Sequence, residues 1–140
     1  MATVSRPPFA FYMGGGGAPP GTDTRVFPGR AESVREARVF VAALMAHSPA
    51  AASAALMTSE LVTNAIQHSA SGLPGGTVIV SVRRGHAWVR VDVHDQGELV
   101  PGLSARIAEG MGLTIVRELA DVSGSDGPDN WFVLFLGGAR

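Results

Sequence analysis

The chain has 140 residues, 46% of them hydrophobic, with 11 basic against 12 acidic side chains and a formal charge of −1. That length and apolar share support one domain with a real core, and the even charge argues against nucleic acid or an anionic membrane surface as the main partner. Cysteine is absent, which excludes a disulfide framework and a thiolate metal site, and no apolar run approaches the ~20 residues that cross a bilayer, so a cytoplasmic protein is expected.

Residues 1–21 hold Pro7, Pro8, the glycines from Gly14 to Gly17, Pro19, Pro20 and Gly21. Such a stretch cannot bury enough apolar surface to offset its ordering entropy, so it is expected to be a flexible leader ahead of a folded domain over 22–140. Its aromatic trio Phe9, Phe11 and Tyr12 has the chemistry of a docking motif, but a leader with no fixed role is the favoured reading.

Thr22 to Phe27 suits a short edge strand closed by Pro28-Gly29. Val34, Ala37, Val41 and Leu44 then recur at helical spacing, with Glu32, Arg35, Glu36 and Arg38 on the outer side, which predicts a helix over 31–46. Ser48-Pro49 ends it, because proline disfavours helical backbone in the residue before it. A second helix is expected from Ala50 to about Ser69, with Leu61, Val62, Ala65 and Ile66 on its core side.

Glu60 and Asn64 stand four residues apart in this helix, one turn apart on one face. A carboxamide oxygen can ligate Mg²⁺, and a carboxylate can polarise a water or a hydroxyl. By itself the pair is a weak signal.

Residues 71–76 read as a loop. Val78, Val80 and Val82, then Val89, Val91 and Val93, alternate with polar residues on either side of Arg84-Gly85-His86-Ala87, the pattern of an antiparallel hairpin. Ser81, Arg83, Arg90, Asp92 and His94 are expected on a solvent-exposed face. Asp95-Gln96-Gly97 ends the second strand; Asp there can accept a hydrogen bond from an adenine amine, and Gly admits the base close to the backbone. A plain Asp-x-Gly turn has the same look. After a polar connection over 98–109, Gly110-Met111-Gly112-Leu113 opens a third helix running to about Val122, where backbone N–H groups at a helix start can hold phosphate. A glycine-rich helix start with no ligand is the alternative. Residues 123–130 read as a turn-rich loop, and 131–136 as a buried final strand.

The order of these segments carries more than any one of them. A Glu-x-x-x-Asn helix, a strand ending in Asp-x-Gly and a Gly-x-Gly-Leu helix start resemble the GHKL ATPase superfamily, over about residues 25–136. "ELVTNAIQHS", "RVFPGRAESVREARVFV" and "GMGLTIVRELAD" look most like its anti-sigma-factor serine kinases of bacteria.

The resemblance implies an α+β two-layer sandwich, the Bergerat fold, with a mixed, mostly antiparallel sheet covered on one face by three helices. It implies ATP and Mg²⁺ as cofactors, with Asn64 as the metal ligand and Glu60 as the catalytic base. Asp95 would select adenine with Gly97 making room, and Gly110, Met111, Gly112 and Leu113 would hold the phosphates. Residues 98–109 would be a lid, from which Arg106 could reach a phosphate or simply be solvated. His68, one turn past Asn64, could touch nucleotide, cap the helix or pack. Implied partners are a sigma factor and an anti-anti-sigma protein of the STAS type, in an often dimeric branch.

The chain departs from the family in two places. Glu98 follows Gly97 where a glycine often stands nearby, and Gly127-Pro128-Asp129-Asn130 replaces the usual Gly with Lys or Thr before the last strand, leaving Asn130 to substitute for a hydroxyl contact to adenine. A non-catalytic ATP-binding regulatory module is the alternative function. A histidine-kinase catalytic domain is disfavoured at this stage, because no phosphoacceptor helical hairpin precedes the motifs.

Overall fold

The computed structural model describes residues 21–99 and 113–136. Five strands and three helices fill this span: β1 (Thr22–Pro28), α1 (Glu32–Leu44), α2 (Ala51–His68), β2 (Thr77–Arg84), β3 (Trp88–His94), α3 (Thr114–Leu119), β4 (Val122–Asp126) and β5 (Asp129–Phe135). A single 3₁₀ turn, Ala70–Gly72, follows α2. The strands form one sheet in the order β1-β2-β3-β5-β4, and all four pairings are antiparallel.

The alternating valines decide which face is covered. Val78, Val80 and Val82 of β2 and Val89, Val91 and Val93 of β3 are buried, with Phe132 and Leu134 of β5 continuing the same layer. Against them lie Ala37 and Val41 of α1, Ala54, Met57, Leu61, Val62 and Ala65 of α2, and Leu113 and Val116 beside α3. Small and branched side chains at the facing positions let α2 lie close over the centre of the sheet. Phe27 anchors β1 at the sheet edge, meeting Phe40 of α1 edge to face at 6.0 Å. This is the two-layer α+β sandwich expected from sequence.

Three local expectations change. The span 123–130 is a tight β-hairpin, not a loop: Asp126 pairs with Asp129 across Gly127-Pro128. Gly127 has φ of 60°, and Gly followed by Pro is a sequence order that a two-residue type II′ turn accepts. The third helix stops at Leu119 and not near Val122, because Ala120 turns to extended backbone and Val122 pairs with Val133.

The far face of the hairpin is the third change. His94 is exposed as expected, but Arg90 and Asp92 are buried. β3 is a central strand, and β5 brings Trp131 beside Arg90, whose guanidinium stacks 4.1 Å from the ring centroid. Trp88, Trp131 and Val133 form a small second core here. Gly124 of β4 lies against the same indole; a Cβ there would come within 2.6 Å of Trp131, so only glycine lets that strand approach.

Candidate functional site

Helix α2 shows a buried stripe of Ala54, Met57, Thr58, Leu61, Val62 and Ala65 toward the sheet. Glu60, Asn64 and His68 lie one turn apart from one another along the flank of that stripe, all half-buried. Half-burial at the margin of a core is where a polar group keeps access to a ligand while losing most of its water. Asn64 shows this most sharply: its amide Nδ2 is enclosed and has no hydrogen-bond partner among the described residues. Buried polar atoms are nearly always partnered, and an orphan marks a place where a ligand or ion completes the shell. A half-turn of the side chain exchanges the amide nitrogen and oxygen, so the same position presents a donor or a carbonyl oxygen.

The end of α2 is tied to the strand end carrying Asp95. Ser69 Oγ donates to Ala65 O at 2.6 Å and accepts from Ser71 N at 3.0 Å. Ser69 therefore caps the helix, and the capping role considered for His68 falls to its neighbour. The Ser71 hydroxyl accepts from Gln96 N at 3.0 Å, Ala70 N–H donates to Gly97 O at 2.9 Å, and Thr77 N–H donates to Gln96 Oε1 at 2.7 Å. Ser69 also forms a bridge to Glu98. Five residues after Asn64, the chain is thus laced to the Asp95-Gln96-Gly97 loop, and the two sequence motifs become one structural unit.

Within the loop, Gly97 N–H donates to Asp95 Oδ1 at 2.7 Å, and Gly97 has φ of 99°. That backbone conformation suits glycine alone, and it folds the loop back on its carboxylate. Burial pushes the Asp95 carboxyl above its ordinary range; the Gly97 N–H and nearby His94 oppose the rise, and Glu98 adds to it. Asp95 N–H donates to Pro128 O at 2.9 Å, so the β4–β5 turn holds the loop from the other side. Asn130 pairs with Val93 and shares its helix-side face of the sheet, next to Asp95 in the strand order.

Glu60, Asn64, His68, Asp95 and Gly97 are thereby placed on the helix side of the sheet. Leu113 is there too, but its side chain is buried in the main core, leaving only its backbone for a ligand. Arg106, Gly110, Met111 and Gly112, and the expected lid from residue 100 onward, lie outside the described residues. Sequence reading missed Ser69 and Ser71, whose signal was a Ser-x-Ser step directly after a helix. It also missed the burial of Arg90 and Asp92, since charged residues alternating in a strand read as solvated, and the half-buried Asp129 beside them, which read as part of a loop.

Comparison with known proteins gives the family. Residues 27–130 match the histidine kinase-like ATPase domain family. A stretch of 76 residues is 38% identical to the sensor histidine kinase PdtaS of Mycolicibacterium smegmatis, covering 51% of this chain and 15% of that protein. The corresponding protein of Mycobacterium tuberculosis matches to the same extent, 38% over 76 residues, again 51% of this chain and 15% of the relative. The chain therefore spans a small part of these relatives' length.

Proposed function

The chain belongs to the histidine kinase-like ATPase domain family, and from that premise we propose that it binds Mg-ATP and transfers a phosphoryl group to a serine or threonine of a small protein partner, regulating transcription by partner switching. The observation that carries the nucleotide reading is the unpartnered Asn64 amide on the same flank of α2 as Glu60, laced through Ser69 and Ser71 to the Asp95–Gly97 loop.

The residues present fit Mg-ATP. Asn64 offers an enclosed carboxamide whose Nδ2 has no hydrogen-bond partner among the described residues and whose carbonyl oxygen suits a hard cation, and Asp95 is a half-buried carboxylate beside a glycine that leaves open space. When bound, the nucleotide supplies the phosphoryl group, and the metal neutralises charge on its phosphates. The protein's part is positioning and proton handling. Asp95 accepts a hydrogen bond from the adenine amine, Gly97 admits the base, Asn64 holds the cation, and Asn130 lies on the adenine side of the sheet. Glu60 takes the proton of the acceptor hydroxyl. A sigma factor and an STAS-type anti-anti-sigma protein are the partner classes that the sequence resemblance supports.

A second reading rests on the similarity to sensor histidine kinases: the same site would phosphorylate a histidine. One experiment separates the two and tests Glu60. The chain is incubated with Mg-ATP labelled at the terminal phosphate and with candidate partners, and the labelled product is treated with acid and with alkali. An acid-stable label on the partner is the outcome for serine or threonine; an acid-labile, alkali-stable label is that for histidine. Glu60→Ala is expected to retain ATP binding and lose transfer by about 10²- to 10⁴-fold. Wild-type transfer rates in that variant would remove Glu60 from the role of base.

A further inference from the structure

On the sheet face away from the helices, the buried Arg90 and Asp92 and the half-buried Asp129 form a charged cluster. The Arg90 guanidinium meets Asp92 in a two-point fork, Nε to Oδ1 and Nη2 to Oδ2, both at 2.8 Å. Its Nη2 also stands 3.8 Å from Asp129 Oδ2. Asp92 and Asp129 thus face one guanidinium between them, an arrangement in which two neighbouring carboxyls disfavour each other's ionisation. Burial raises Asp92, but the Arg90 fork and the hydrogen bond from Asp129 outweigh it and hold Asp92 below its ordinary range. Burial and the adjacent Asp92 charge push Asp129 up to about 8, against partial relief from Arg90 and Arg83. Of the two carboxyls, Asp129 is therefore the one that holds a proton more readily.

Asp129 is the first residue of β5, next to Pro128, whose carbonyl accepts the Asp95 N–H at 2.9 Å. The residue after it, Asn130, lies on the nucleotide side of the sheet. A group on the far face thus reaches the adenine loop through one hairpin turn. The other charged groups around Asp129 are its cross-strand partners His94 and Asp126 and, on β2, Arg83.

We propose that the Arg90–Asp92–Asp129 cluster positions the adenine-selecting Asp95 through the Pro128 carbonyl, and that the charge on Asp129 sets whether the loop is correctly placed. Asp129 touches no part of the nucleotide in this scheme; it is a positioning residue. With a proton on Asp129, the two carboxyls do not repel and the Gly127-Pro128 turn stays docked. With it lost, two adjacent negative charges, one of them buried, share one guanidinium, the turn moves outward, and the Asp95 N–H loses its acceptor. This inference rests on the nucleotide reading above only for its effect on ATP.

The test uses the full chain from pH 6.5 to 9.5, with two readouts. The first, needing no ligand, is the backbone amide NMR shift of Asp95 and Gly97. In wild type both amides are expected to titrate with an inflection near that of Asp129. In Asp129→Asn, which keeps a side-chain donor without an ionisable proton, that inflection is expected to vanish. The second is ATP affinity. Wild type is expected to lose about fivefold or more between pH 7 and pH 9, while Asp129→Asn binds equally at both. Tryptophan fluorescence reports whether each variant is folded, since Trp88 and Trp131, the chain's two tryptophans, both stand in this cluster. Should Asp129→Asn not fold, the wild-type amide titration decides alone.

Amide shifts without an inflection, or one that persists in Asp129→Asn, would overturn the positioning role. Titrating amides with a constant ATP affinity would overturn the link to nucleotide. Absence of ATP binding at every pH, with titrating amides, would instead refute the nucleotide reading and leave the positioning of the loop supported.

Discussion

The two faces of the sheet treat polar side chains in opposite ways. On the helix side, Asn64 is enclosed with an amide that no described residue satisfies, and Asp95 has only the Gly97 N–H on its carboxylate among the hydrogen bonds above. On the far side, Arg90 and Asp92 are also buried, with Asp129 half-buried beside them, but there the charges meet one another in a fork and under a stacked indole, although Arg90 Nη1 makes no hydrogen bond among the described residues. Burial is common to both faces, and each encloses an atom without a hydrogen bond among the described residues, while the two-point ion pair belongs to the far face. A cluster of paired charges stabilises or positions the fold, whereas an enclosed group left open costs stability and persists where an outside partner completes it. The lesson is to look for a ligand where the polar shell is incomplete, not where charge is densest.

The contrast predicts opposite outcomes for deletions on the two faces. The largest stability effect is expected on the far face. Arg90→Ala leaves Asp92 buried without its guanidinium and is expected to destabilise the fold by about 3–5 kcal/mol in urea unfolding; a loss under about 1 kcal/mol would show that water reaches the cluster and that its pairing is not what holds it. On the helix side the effect is expected in binding. Asp95→Asn exchanges an acceptor-only carboxylate for an amide and is expected to weaken ATP by about tenfold or more, at little cost to stability; calorimetric titration with ATP and GTP checks both affinity and base preference, and unchanged affinity for ATP removes Asp95 from the adenine contact. The smallest effect is expected for Asn64→Ala without nucleotide. Removing an orphan amide is expected to leave urea stability within about 1 kcal/mol of wild type, or slightly raise it, while Mg-ATP no longer protects the variant against unfolding. A large loss of stability without nucleotide would mean that Asn64 is partnered within the protein, and the contrast between the faces would fail.

Asp95 and Asp129 also divide the pH dependence. Asp95 must be ionised to accept from adenine and its carboxyl is raised by burial, so acidification removes binding from above the ordinary carboxylate value of 3.8. Asp129 acts as its neutral form, so the alkaline limb falls near 8. For stability the sign is separate: the folded chain keeps a proton on Asp129 between 3.8 and about 8 that the unfolded chain releases, so this group's contribution declines as pH rises through that window and is level above it.

Much of this was legible in the sequence. Alternating valines fixed the hairpin and its covered face, because a two-residue period has one burial solution in a one-sided sheet. Four-residue spacing put Glu60 and Asn64 on one flank, because helical geometry is local. Asp95-x-Gly97 at a strand end indicated a turn carrying a carboxylate. Local rules settled these features without any knowledge of neighbours. The tertiary structure decided the rest. The β4–β5 hairpin over 122–135 was hidden because β4, Val-Ser-Gly-Ser-Asp, has little apolar alternation of its own; it is a strand because β5 offers an edge and Trp131 requires a glycine opposite it. Arg90 and Asp92 looked solvated because burial depends on which strand lies alongside, and β5 comes from some forty residues further along the chain. The orphan state of Asn64 and the proton on Asp129 depend on what every neighbouring element does or does not supply, which spacing within one segment cannot specify.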